Sequence, residues 1–157
     1  MVSETFLSSL EKAQRIEKAR LDYYSEQLDK HRGRPVEKFL QYLAEEEQGH
    51  LNYLVEIEAV LKGGETNFEG SVEPLGDHRS LFNEAEEGIK NAPKEQLATE
   101  LEVMEKALEF EREDVQLYQS FQDECDDDHG KELFEGIKNI EMIHVRSIER
   151  MVAFMKD

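Results

Sequence analysis

Glu17, Tyr24, Glu47 and His50 recur as Glu111, Tyr118, Glu141 and His144, every member displaced by the same 94 residues. Both copies read Glu-x6-Tyr and then, further on, Glu-x-x-His. A glutamate and a histidine three residues apart share one face of a helix, so both side chains can reach one ion. Carboxylate oxygens with one imidazole per metal suit iron or manganese, and the lack of thiolate argues against a structural zinc site. Two divalent cations would also balance the charge of the four carboxylates.

That chemistry requires the residues to face inward, and the surrounding pattern puts them there. Glu47 follows Leu43 by four residues and precedes Leu51 by four. His50 precedes Leu54 by four. Ile137, Glu141, His144 and Ile148 repeat the arrangement, while Leu10, Glu17 and Tyr24 share a seven-residue period with Met104, Glu111 and Tyr118. All six candidate ligands thus fall on or beside apolar helical stripes. An unpaired buried carboxylate costs several kcal/mol or gives up its charge. Four on core faces are tolerated if cations, protons or water compensate them. Tyr24 and Tyr118 can be read as core aromatics or as phenols that orient ligand carboxylates.

Four long helices are predicted to carry these stripes. The first runs from Glu4 to Lys30 with Ser3 as N-cap, and Gly33 marks its end. The second begins with Pro35 in its first turn and stops at Gly63–Gly64. The third opens at Ala92–Pro93 and ends near Asp126–Asp127–Asp128, a run read as a turn and N-cap cluster. A calcium loop there is the weaker reading, because the EF-hand pattern is absent. The fourth runs from Gly130 to Met155. Short connections make neighbours in each hairpin antiparallel. Between the hairpins, residues 63–94 contain Gly64, Gly70, Pro74 and Gly76 and a short predicted helix at Ser80–Asn91. A 28-residue helix is about 42 Å long, and about 13 extended residues cover that distance, so this segment can cross the whole bundle.

The two halves match beyond the motif: Lys12 with Lys106, Ala13 with Ala107, Leu43 with Ile137, Leu54 with Ile148. This reads as a duplicated helical hairpin, 4–62 and 95–156, within one domain spanning 1–157. The expected fold is all-α, a ferritin-like four-helix bundle in which a long crossover joins the second and third helices.

Composition narrows the function classes. The net charge of −18 argues against nucleic acid and anionic membranes as partners. A hydrophobic fraction of 38% beside 36% charged residues argues against a membrane span. The single Cys125 can form no internal disulfide, zinc knuckle or iron–sulfur centre and is read as a small, partly buried filler. No basic region precedes an apolar stretch at Met1–Val2–Ser3–Glu4, so the expected compartment is the cytoplasm. His31, His78 and His129 fall near predicted turns, where solvent is the expected partner.

Through Glu17-x6-Tyr24, Glu47-Gln48-Gly49-His50, Glu111-x6-Tyr118 and Glu141-Met142-Ile143-His144, the whole chain resembles the rubrerythrin family of ferritin-like di-iron proteins. The resemblance implies a di-iron centre, with Glu17, Glu47, His50, Glu111, Glu141 and His144 as ligands, that reduces hydrogen peroxide to water, often in a dimer. The rubredoxin domain with its four cysteines is missing, so electrons would come from a separate donor protein such as a rubredoxin. The family commonly has a further glutamate three residues after the third-helix ligand. Asp114 stands there, one methylene shorter, a candidate long-reach or water-mediated ligand. Bacterioferritin is similar too, but its haem-ligating Met after the second-helix Glu is Gln48 here, which speaks against haem. Three readings follow: a peroxidase, an iron-oxidising and storage protein that uses dioxygen or peroxide, and a metal-independent helical interaction module. A homodimer is expected, and helix exchange between protomers stays open.

Overall fold

The structure, a computed structural model of the chain, describes residues 3–63 and 79–157. Five helices make up the regular structure among the described residues: α1 (Glu4–Lys30), α2 (Glu37–Lys62), α3 (Arg79–Lys90), α4 (Lys94–Glu124) and α5 (Asp128–Lys156). α1 and α5 start where polar side chains satisfy the first backbone N–H groups. Ser3 Oγ accepts from Phe6 N at 3.1 Å and itself donates to Asp126. Asp127 Oδ1 caps α5 by accepting from Gly130 N at 3.0 Å. The turn after α1 needs a left-handed residue, and Gly33 supplies it at φ 77°. Pro35 lies two residues ahead of α2 rather than inside its first turn, because Val36 serves as N-cap. Gly64, Gly70, Pro74, Gly76 and His78 lie outside the described residues.

α1 packs along α2 and α4 along α5, each pair joined by a short turn. Contacts between α1 and α4 join the two hairpins, and α3 lies against α2 and touches α5. The ends of corresponding helices keep the motif's displacement, with α1 and α4 ending at Lys30 and Glu124 and α2 and α5 at Lys62 and Lys156.

The apolar interior is divided in two. One cluster holds Tyr24, Leu40, Leu43, Ala85, Ile89, Met104, Ile148 and Met151. The other holds Phe6, Leu10, Leu54, Tyr118, Phe134 and Ile137. Every long helix contributes to both, and in each the candidate ligands fall between its two apolar segments. The chain direction follows from this: α1 and α5 run one way, α2 and α4 the other. α2 therefore ends in the cluster around Phe6 and Leu54, whereas α3 and the start of α4 pack in the other one.

A carboxylate–histidine cluster in the core

All six candidate ligands of the motif converge at the junction of the two apolar clusters. None is more than 2% exposed. Two groups of donors form, each with ligand atoms within 4.8 Å of one another: Glu17, Glu47, His50 and Glu141, and Glu47, Glu111, Glu141 and His144. Glu47 and Glu141 belong to both. Each hairpin thus supplies most of one group and lends one carboxylate to the other. The two imidazole rings lie nearly parallel, 18° apart, with centroids separated by 6.4 Å. His50 Nδ1 stands 3.2 Å from Glu141 and 3.5 Å from Glu17; His144 Nδ1 stands 3.4 Å from Glu111 and 3.6 Å from Glu141.

The tyrosines pair across the hairpins. Tyr24 Oη donates to Glu111 at 3.0 Å, and Tyr118 Oη donates to Glu17 at 2.6 Å. Two turns of helix separate each tyrosine from the glutamate of its own motif, about 10 Å of axial rise, so its partner comes from the facing helix. Burial first, and then the neighbouring carboxylates, push both phenols well above their usual range, so they remain donors.

The electrostatics split the four glutamates into two kinds. Burial pushes Glu47 and Glu141 well above the ordinary carboxylate range, and the charges of Glu17 and Glu111 add to it. Burial acts the same way on Glu17 and Glu111 but is outweighed. Interactions with Glu47, His50 and Tyr118 lower Glu17, and those with Glu141, His144 and Tyr24 hold Glu111 at about 2. For His50, burial opposes the charge, yet Glu17 and other carboxylates raise its pKa. Without metal, the raised pKa values of the two shared glutamates favour protons there in place of cations.

The donor set fits metal ions. Both oxygens of Glu47 and of Glu141, one oxygen of Glu17, both ring nitrogens of His50 and Nε2 of His144 are buried without a hydrogen-bond partner. Buried polar atoms in native proteins are almost always paired, and unpaired ones cost about 1–3 kcal/mol each. Cations placed in the two groups would satisfy them together. Cys125 is no part of the cluster; it sits buried at the α4–α5 turn.

Asp114 takes a different place from its sequence neighbours. It is 1% exposed, but it belongs to neither donor group. Arg20 grips it instead, with Nε 3.1 and 3.2 Å from the two carboxylate oxygens and Nη2 2.9 Å from Oδ1. Burial first, and Glu111 and Glu17 after it, push Asp114 up to about 7 against the pull of Arg20.

Three neighbours of the cluster are absent from the sequence reading. The Tyr42 ring packs edge-on to His144 at 5.6 Å, and Glu46 Oε2 lies 3.9 Å from His144 Nε2. Their counterparts in the second half are Gly136 and Ile140, so the repeat gives no signal for them. Arg20 carried a signal: the motif's own displacement pairs it with Asp114, an opposite charge at the matching position. His31 also departs from expectation. Its Nδ1 lies 2.7 Å from Gln27 O and its Nε2 3.2 Å from the buried Glu100, so protein rather than solvent partners it.

No protein-family model matches the chain, and no curated protein or solved structure matches it. Fold and geometry define an all-helical bundle whose buried carboxylate–histidine cluster could hold metal ions. Among the described residues no helix is long and apolar enough to cross a membrane.

Proposed function

We propose that the cluster is a di-iron centre and that the protein is a rubrerythrin-like peroxidase, reducing hydrogen peroxide to water with electrons from a separate donor such as a rubredoxin. The observation that carries this reading is the pair of donor groups sharing Glu47 and Glu141, which suits two adjacent ions better than one. A ferritin-like arrangement is supported by helix direction: α2 ends in one apolar cluster while α3 packs in the other, as a crossover connection requires. Two ferrous ions, when bound, would supply the two electrons that convert one hydrogen peroxide and two protons into two waters. Manganese fits the same donor set, and nothing in the ligand pattern calls for haem.

The protein's own part is positional. Glu47 and Glu141, common to both donor groups, would help to hold both ions. Tyr24 and Tyr118 hold Glu111 and Glu17 by one oxygen each, leaving the other for metal. Apolar side chains on both flanks exclude water. The expected setting is a cytoplasmic homodimer, with neither nucleic acid nor membrane as partner.

Metal analysis of protein purified without chelator, followed by stopped-flow oxidation of the anaerobic ferrous form, tests the proposal. Stoichiometric iron and faster oxidation by peroxide than by dioxygen are expected. Faster oxidation by dioxygen, with a cage-sized species on gel filtration, would instead favour iron oxidation and storage. Protein that takes up no stoichiometric metal would leave a helical interaction module.

A further inference from the structure

Arg20 and Asp114 occupy equivalent positions in the two halves, one helical turn after Glu17 and Glu111. They also touch one another. Residues related by a pseudo-twofold axis can meet only at that axis, so the pair marks where the axis leaves the cluster on the side lined by α1 and α4. Glu47 and Glu141, shared by both donor groups, come from α2 and α5. The Arg20–Asp114 pair therefore faces the shared carboxylates from the opposite side of the cluster.

Asp114 has the chemistry and the burial of a metal ligand, with a side chain 2% exposed, yet it stands outside both donor groups. Arg20 accounts for this. Three hydrogen bonds occupy both carboxylate oxygens in the two-pronged geometry that an arginine fork favours. The fork is itself anchored: Nη2 donates to Glu113 at 3.0 Å, and the guanidinium carbon lies 4.1 Å from the centroid of the Phe110 ring. Charge points the same way. Two divalent ions balance the four glutamates, which leaves Arg20 as the counter-charge of Asp114.

We propose that Arg20 is a positioning residue that withholds Asp114 from the metal pair, so that the α1–α4 side of the centre carries no fifth carboxylate and stays open to a small oxygen ligand. The inference rests on the metal-centre reading above. Losing the fork would release Asp114 onto the ions and raise their coordination number.

The test uses the full chain loaded with cobalt(II), whose visible absorption reports coordination number. Asp114→Asn, whose amide oxygen still accepts from Arg20, is expected to keep the cobalt stoichiometry and spectrum of the unchanged protein. Arg20→Gln is expected to weaken the visible bands by about twofold or more as Asp114 binds. Cobalt affinity should rise by about 10-fold or more, the scale on which outer-shell partners act. Adding Asp114→Asn to Arg20→Gln should restore the original spectrum, a reversal that a purely structural role for the pair would not give. A changed spectrum in Asp114→Asn alone, or an unchanged one in cobalt-loaded Arg20→Gln, overturns the proposal. If Arg20→Gln does not fold, Arg20→Lys keeps the charge without the fork, and an unchanged spectrum there overturns it equally. Failure of the unchanged protein to bind cobalt sinks the metal-centre reading itself, and this inference with it.

Discussion

Glu47 and Glu141 differ from Glu17 and Glu111 in what each would cost to lose. Because the first two belong to both donor groups, Glu47→Gln or Glu141→Gln should remove both ions. Glu17→Gln or Glu111→Gln touches one group and should leave about half of the bound metal, as read by elemental analysis. The same glutamates give the metal-free protein an unusual pH dependence. Glu47 and Glu141 ionise well above 4.5 in the folded chain, and Asp114 ionises at about 7 against 3.8 when unfolded. The folded state then binds more protons than the unfolded state, so stability falls as pH rises through that window. His50, with its raised pKa, acts in the same direction: its contribution is present below 6.5 and lost at higher pH. Glu111, at about 2, and the lowered Glu17 act in the opposite sense, but only below 4.5. Urea titrations of metal-free protein should therefore give a midpoint that declines from about pH 5 to pH 8, and saturating metal should remove the part of the decline that Glu47, Glu141 and His50 contribute. A midpoint rising over that range would contradict the proton assignment.

At the scale of elements, the sequence made the helices readable because their ends carry local chemistry. Ser3, Asp127 and Gly33 act through their own side chains or backbone, and their roles can be inferred from residue type and place. The candidate ligands were legible for a related reason: a polar residue at a core position of a helical repeat is conspicuous, and the repeat displays it twice. Pairings between helices were not legible. That Tyr24 bonds to Glu111 and not to Glu17, and that Glu47 and Glu141 are shared, both depend on the register of one helix against another; the Arg20–Asp114 pair is the exception, because the repeat itself sets the two opposite charges at matching positions. Periodicity within a helix does not encode that register. The α4–α5 turn gives a test of packing at this scale. A Cβ on Gly130 would sit 2.5 Å from Cys125 Sγ and 3.2 Å from the Phe6 ring. Gly130→Ala should destabilise the protein by about 1–3 kcal/mol, the range of overpacked cores. Cys125→Ala in the same chain should recover part of the loss, a coupling that thermal melts of the single and double variants would measure.

At the scale of the whole molecule, metal and fold are linked by charge. A chain of net charge −18 attracts cations over its whole surface, but among the described residues it is the core cluster that could hold them with buried, desolvated donors. Binding there must displace the protons held by Glu47 and Glu141, so metal uptake should acidify a weakly buffered solution and tighten as pH rises. The divided interior has a further effect, on cooperativity. Two apolar clusters sit at opposite ends of the same four helices, and a belt of unpartnered polar atoms separates them. In the metal-free chain that belt is held across the hairpins by the Tyr24–Glu111 and Tyr118–Glu17 bonds, and the expected outcome is weaker coupling between the two ends. Native-state amide exchange should show faster opening around residues 47 and 141 than in either apolar cluster. Bound ions would act as a rivet at mid-length, raising protection there most and merging the two ends into a single unfolding transition.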